Sequence, residues 1–206
     1  ESEAIIYKET RIQELINIKE VLEDYSDIIL NIRVGGTDFS SKFGLRRSID
    51  SSIYNIRVVS DCLIDIINMF LRGGQDYVIS APVWEYFSED IKSKEVHGLI
   101  NEIKSDKENG FCGKTIIHPS QIKYVNSLYT VTYEEYIDAK AIIDSYEDGG
   151  VFKGHGGNKM NEVKPHFNWA KKIMSRAEVF GVLNEGILNE DLYKENKFSN
   201  KSIEVL

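Results

Sequence analysis

The apolar run from Ile28 to Val34, interrupted only by Asn31 and Arg33, ends at Gly35-Gly36 and leads directly into Thr37-Asp38-Phe39-Ser40. Flanked by helical patterns, such a run predicts an interior parallel strand, because a strand covered on both faces loses the strict alternation of apolar and polar residues. The glycine turn then sets one carboxylate, Asp38, at the strand's carboxyl end. Ligand sites of parallel sheets gather at that end.

The rest of the chain repeats the theme. Thr10 with Gln13 predicts a capping box opening a helix to Leu22, with Ile12, Leu15, Ile16 and Leu22 on one face. A longer helix is predicted over 52–72, where Ile56, Val59, Leu63, Ile66, Ile67 and Phe70 share a stripe and Gly73-Gly74 supplies a left-handed stop. Tyr77 to Ala81 reads as a short strand halted by Pro82, and Ser88 as the cap of a helix reaching about Lys104. Lys114 to Ile117 is a third strand, running into His118-Pro119-Ser120-Gln121-Ile122, and Thr132 with Glu135 opens a helix ending near Tyr146.

Strands and helices alternating at these intervals predict an α/β fold built from βαβ units around a parallel sheet. Three strands, with Glu1 at the tip of a fourth, amount to half of an eight-stranded (β/α)8 barrel over residues 1–146. Such barrels take about 250 residues. The missing half is therefore expected from upstream sequence or from another chain. Residues 147–206 form a second region: a glycine-rich hinge or lid, a C-terminal helical extension from Pro165 to about Phe180, and a weakly ordered tail.

Charge narrows the partners. A net charge of −8 with a pI near 5.1 argues against a general nucleic-acid binder, which needs clustered Lys and Arg. No run of about 18 apolar residues is present, and the N-terminus lacks a signal-peptide layout, so a cytoplasmic protein is expected. Cys62 and Cys112 are too few for a zinc site or a disulfide framework and are expected as free thiols.

Several residues could carry chemistry, each with a plainer reading beside it. Asp38 is a candidate ligand for a hard cation, or a turn residue bonding its own backbone. Glu1, at a neighbouring strand tip, would complete the pair of carboxylates that Mg2+ asks for. His118 is a candidate base or a packed histidine, with Pro119 fixing its turn. Arg46 and Arg47 could clamp a carboxylate or phosphate, or be a solvated pair. Trp84, Tyr86 and Phe87 wall a pocket or simply pack. The glycine-rich 149–157 segment lacks the Gly-Lys-Ser/Thr ending of a P-loop.

Taken together, Gly35-Gly36-Thr37-Asp38-Phe39 with Gly44-Leu45-Arg46-Arg47, and Gly110-Phe111-Cys112-Gly113-Lys114-Thr115-Ile116-Ile117-His118-Pro119-Ser120-Gln121-Ile122, resemble the citrate lyase β-subunit-like (HpcH/HpaI aldolase) family. Ser80 to Phe87 is similar to a divergent branch of TIM-barrel C-C bond lyases associated with tellurite-resistance and stress-response gene clusters. The resemblance runs from Glu1 to about Ala177 and implies the C-terminal half of that family's (β/α)8 TIM barrel.

It implies a lyase that cleaves a carbon–carbon bond in a hydroxy acid or acyl-CoA thioester through an enolate. Glu1 and Asp38 would hold Mg2+. Arg46, Arg47 and Pro119 would contact substrate, His118 would shape the tip of the last strand, and Glu162, the nearest match to an aspartate lent to a neighbouring subunit, would assist proton movement in a homo-oligomer. The spacing between Glu1 and Asp38 exceeds the family norm by about ten residues, which the helix at Thr10 to Leu22 absorbs. The rival expectation is a non-catalytic binding or assembly component of a stress-response system that keeps the barrel.

Overall fold

A computed structural model describes residues 2–72 and 77–194, and the backbone of Ile203 and Glu204. Glu1 and Gly73-Gly74 lie outside the described residues. The chain divides into two compact units, Glu1–Val125 and Asn126–Leu206, rather than at residue 146.

The first unit is a three-stranded parallel sheet with helices against it. Strands β1 (Ile32–Arg33), β2 (Ile79–Ala81) and β3 (Gly113–Lys114) lie in sequence order, with Ile32 opposite Ile79 and Ser80 opposite Gly113. The expected parallel α/β arrangement is present, on shorter strands than the apolar runs suggested. Ser26–Ile28 is a 3-10 turn rather than strand, and Ile28 and Leu30 are 78% and 88% exposed. Apolar composition alone did not bury that segment.

Helix α1 (Glu3–Ile6) is a single turn before α2 (Lys8–Asp24). The N-cap of helix α2 is Tyr7 and not Thr10, whose hydroxyl donates back to Ala4 O at 2.8 Å, so the predicted capping box does not form. Its inward residues are Arg11 and Leu15, with Ile18 and Leu22 partly buried; Ile12 is 50% exposed. Arg11 is buried because protein acceptors replace water on four of its five N–H groups. It donates to Ile5 O and Ile6 O and pairs with Asp61 at 2.9 Å and Asp65 at 2.7 Å.

Helix α3 (Gly36–Lys42) follows β1 at once. Helix α4 (Arg57–Phe70) buries Val59, Cys62, Leu63, Ile66, Met69 and Phe70 against Ile79 and Ala81 of β2 and Val34 after β1. Both cysteines are free thiols, as expected. Helix α5 (Lys94–Glu108) is capped by Ser93, whose Oγ accepts from Val96 N, while the expected cap, Ser88, bonds Asp90 N in a turn. Past β3, a 3-10 turn (Pro119–Gln121) leads into α6 (Ile122–Tyr129).

The second unit is a pair of helices with a hairpin between them. Helix α7 (Tyr133–Asp144) opens with the predicted Thr132–Glu135 capping box, and α8 (Val163–Phe180) carries Pro165 in its first turn. Ala139 and Ile142 meet Ala170, Ile173 and Ala177 in their shared core, and Arg176 pairs with Glu135 at 3.0 Å. The glycine-rich stretch is an antiparallel hairpin, β4 (Val151–Lys153) with β5 (Met160–Glu162), and not a free lid. Asp138 anchors it by accepting from His155 N at 2.7 Å and pairing with Lys159 at 2.7 Å. After Gly181, β6 (Val182–Leu183) pairs with β7 (Ile203–Glu204), and Asn189 donates to Ser127 O and Thr130 O. The described part of the tail is therefore ordered by specific bonds, against expectation.

Candidate functional site

The carboxyl ends of β1, β2 and β3 all open into the loops that the sequence singled out, and the loop after β2, Pro82 to Phe87, is their hub. Gly36 is there because a Cβ on it would stand 2.8 Å from the Pro82 ring. Thr37 Oγ1 donates to Glu85 Oε1 at 3.1 Å, Tyr86 Oη donates to Arg47 O at 2.8 Å, and Trp84 Nε1 donates to Glu95 O at 2.9 Å. From the far side, buried Gln121 donates through Nε2 to Trp84 O and Tyr86 O, both at 3.0 Å, and accepts from Ile117 N. The aromatic cluster thus mainly packs and braces.

Asp38 stands in the first turn of α3, exposed. The Asx-turn reading fails: the helix is capped by Gly35, and the Asp38 carboxylate has no bonding partner among the described residues. An exposed carboxylate just past a strand's carboxyl end, with no partner among the described residues, fits a cation that keeps several of its waters and takes only one or two protein carboxylates, as Mg2+ does. No group of three or more His, Cys, Asp or Glu side chains gathers among the described residues.

Arg46 is exposed and unbonded among the described residues. Arg47 is neither a solvated residue nor an open anion clamp, which corrects both readings of it. It is 3% exposed, with Nε and Nη2 donating to Glu85 Oε2 at 2.9 and 2.7 Å, Nη2 donating to Val83 O, Nη1 donating to Glu102, and its guanidinium 4.8 Å from the Trp84 ring. Four of its five N–H directions are committed to the protein.

Glu102 is the centre of the ionic group that holds Arg47. Its Oε2 accepts from Arg47 and from Ile53 N at 2.9 Å, and its Oε1 from Lys114 Nζ at 3.0 Å. Lys114 also donates to Asp106 Oδ2 at 2.8 Å and to Pro82 O at 2.7 Å, while Tyr54 Oη donates to Asp106 Oδ1 at 2.6 Å. Burial pushes the Asp106 carboxyl up to about 6, the Lys114 charge opposing it. Glu102 and Asp106 were not singled out in the sequence, although charges spaced i, i+4 beside apolar Leu99 and Ile103 were a legible signal. Lys114 was noted only within its motif.

His118 stacks on Phe87 at 4.1 Å with rings 7° apart. Its Nδ1 accepts from Ser120 N at 3.2 Å and sits 2.9 Å from Ser120 Oγ, capping the turn that Pro119 begins. An acceptor at Nδ1 leaves the neutral ring's proton on Nε2, so His118 is arranged to donate a hydrogen bond rather than to act as a base. Exposed Pro119 supplies rigid geometry. Glu162 lies in the second unit, at the end of β5 and before α8, and its N–H donates to His166 Nδ1 at 3.0 Å.

The first unit is thus an α/β unit with a parallel sheet, whose carboxyl-end loops hold an exposed carboxylate, a braced aromatic hub and an imidazole donor. The chain belongs to the family of C-C bond lyases of the TIM-barrel fold, whose model matches residues 1–182. It is also 31% identical over 91 residues to the citrate lyase subunit beta of two strains of Escherichia coli, a match covering 43% of this chain and 30% of each relative. The matched stretch thus spans under a third of the length of those curated relatives.

Proposed function

We propose that this protein is a Mg2+-dependent carbon–carbon bond lyase that cleaves a hydroxy acid or acyl-CoA thioester through an enolate. The observation that carries this reading is the unengaged carboxylate of Asp38 at the carboxyl end of β1, in a chain matched by the family over residues 1–182. Asp38, with Glu1, would hold the ion. When bound, Mg2+ supplies a Lewis acid for the negative charge that develops on a carbonyl oxygen during scission. The chain's own residues do the rest: Arg46 meets an anionic group of the substrate, and His118 offers its Nε2 proton as a hydrogen bond. Glu162 moves a proton at the site of a neighbouring copy.

The test is cleavage of small 2-hydroxy and 3-hydroxy acids and their acyl-CoA thioesters, assayed with Mg2+ and after EDTA. Product formation is expected to vanish with EDTA and in Asp38→Ala, and to return when Mg2+ is restored to the wild type. Turnover that survives both treatments removes the metal from the reaction. Binding of these ligands without any product favours the rival reading, an assembly component of a stress-response system.

A further inference from the structure

The register of the first sheet separates its side chains into two faces. Ile79 and Ala81 enter the core formed with α4, Ile32 and Val34 pack with them, and Lys114 reaches Glu102 and Asp106 on α5. Since side chains alternate along a strand, Asn31, Arg33, Ser80 and Thr115 occupy the opposite face. Two hydrogen bonds knit that face across all three strands: Asn31 Nδ2 donates to Ser80 Oγ at 2.7 Å, and Arg33 Nε donates to Thr115 Oγ1 at 3.4 Å.

In a (β/α)8 fold this face looks into the barrel, where branched apolar side chains normally fill the space. Four polar residues in that position serve no packing need. Two of them are also incompletely satisfied. Asn31 Oδ1 is buried with no hydrogen-bond partner, a state native structures rarely leave unused. Arg33 is exposed, and none of the remaining donors of its fork meets a carboxylate among the described residues. Thr115 takes the Nε hydrogen and so leaves the paired Nη donors free, the geometry that grips a carboxylate by two parallel bonds.

We infer that Arg33 and Asn31 are specificity-determining residues on the inner face of the sheet, Arg33 binding a ligand carboxylate and Asn31 Oδ1 accepting from a ligand hydroxyl. They are two residues apart, roughly 6.7 Å along the strand, so one small hydroxy acid spans both. Arg33 is the nearer to the carboxyl end, which sets the carboxylate toward the loop bearing Asp38. The inference deepens the lyase reading and rests on it for the reaction, but binding can be read without turnover.

The experiment is calorimetric titration of the full-length protein in EDTA with L-malate and with succinate, which differ by one hydroxyl. The wild type is expected to bind L-malate about tenfold more tightly than succinate, the scale of one well-placed hydrogen bond. Arg33→Gln weakens both ligands at least about tenfold; Asn31→Leu abolishes the preference and leaves succinate unchanged. Arg33→Lys, which keeps the charge and loses the fork, falls between, and circular dichroism checks that each variant is folded. Equal affinity for the two acids, no binding by the wild type, or undiminished affinity in Arg33→Gln overturns the inference. Lyase turnover, measured on aliquots of the same preparations with Mg2+ restored in place of EDTA, separates the two claims. Turnover with unchanged Arg33→Gln affinity sinks only the binding face, whereas affinity lost in Arg33→Gln with no turnover in any sample sinks only the lyase reading.

Discussion

Arg47, Glu102, Lys114 and Asp106 spend their charges on one another, and the loops around the site stay in place through them. Removing Glu102 leaves two buried cations facing each other without their shared carboxylate. Glu102→Leu is expected to cost about 3–5 kcal/mol of unfolding free energy, measured by urea denaturation, because Arg47 and Lys114 each lose a buried carboxylate, keep only Glu85 and Asp106, and cannot make up the loss from water. Asp106 acts on the pH profile in a definite direction. Its folded pKa of about 6 lies above its ordinary 3.8, so the folded state holds the proton more tightly. Its contribution to stability is complete below about pH 4 and is lost as pH rises through 6. Asp138 runs the other way: its bonds to Lys159 and His155 N hold its carboxyl below the usual range despite burial, so its contribution is present at neutral pH and lost in acid. In Asp106→Asn the fall in stability between about pH 4 and 6 is expected to disappear, with the acid limb kept. A profile identical to the wild type's through that window would contradict the assignment.

Helix α5 meets the hub loop most closely at Gly98. A Cβ on Gly98 would stand 2.2 Å from Trp84 Cζ2 and 2.6 Å from Cη2, so the glycine is the recess that lets the indole lie flat on the helix. Gly98→Ala gains helix propensity but forces Trp84 outward, and a net loss of about 1–3 kcal/mol is expected, with Trp84 emission shifting to the red in a Trp169→Phe background. Contacts of this kind explain what could be read from the residues and what could not. Helix α4 was legible because its apolar stripe is long, and α7 because Thr132 and Glu135 form their capping box from local sequence alone. Helix α3 was not legible, since its seven residues, opening on a glycine, are too short to show a period. The β4–β5 hairpin was read as mobile because what pins it, Asp138 on α7, lies outside the local pattern. At the site, Asp38 was legible from its glycine turn. The burial of Arg47 was not, because its acceptors sit 38 and 55 residues away.

The family match covers residues 1–182 and so takes in both compact units, the one that bears Asp38 and the one that bears Glu162. If the second unit of one copy completes the site of another, the two carboxylates are separable by genetics. Asp38→Ala and Glu162→Gln should each be inactive alone. In a homodimer exchanging subunits freely at equal concentrations, half of the molecules are mixed, and each mixed molecule carries one site with both carboxylates intact. Such a mixture is expected to regain about a quarter of wild-type turnover, the fraction that reciprocal two-fold symmetry dictates. Subunit exchange would be verified by native mass spectrometry of a tagged partner. A mixture that exchanges subunits yet stays inactive would confine Glu162 to its own copy's site or remove it from the reaction. Full activity in Glu162→Gln alone would remove it outright, leaving proton movement to water or to a residue of the first unit.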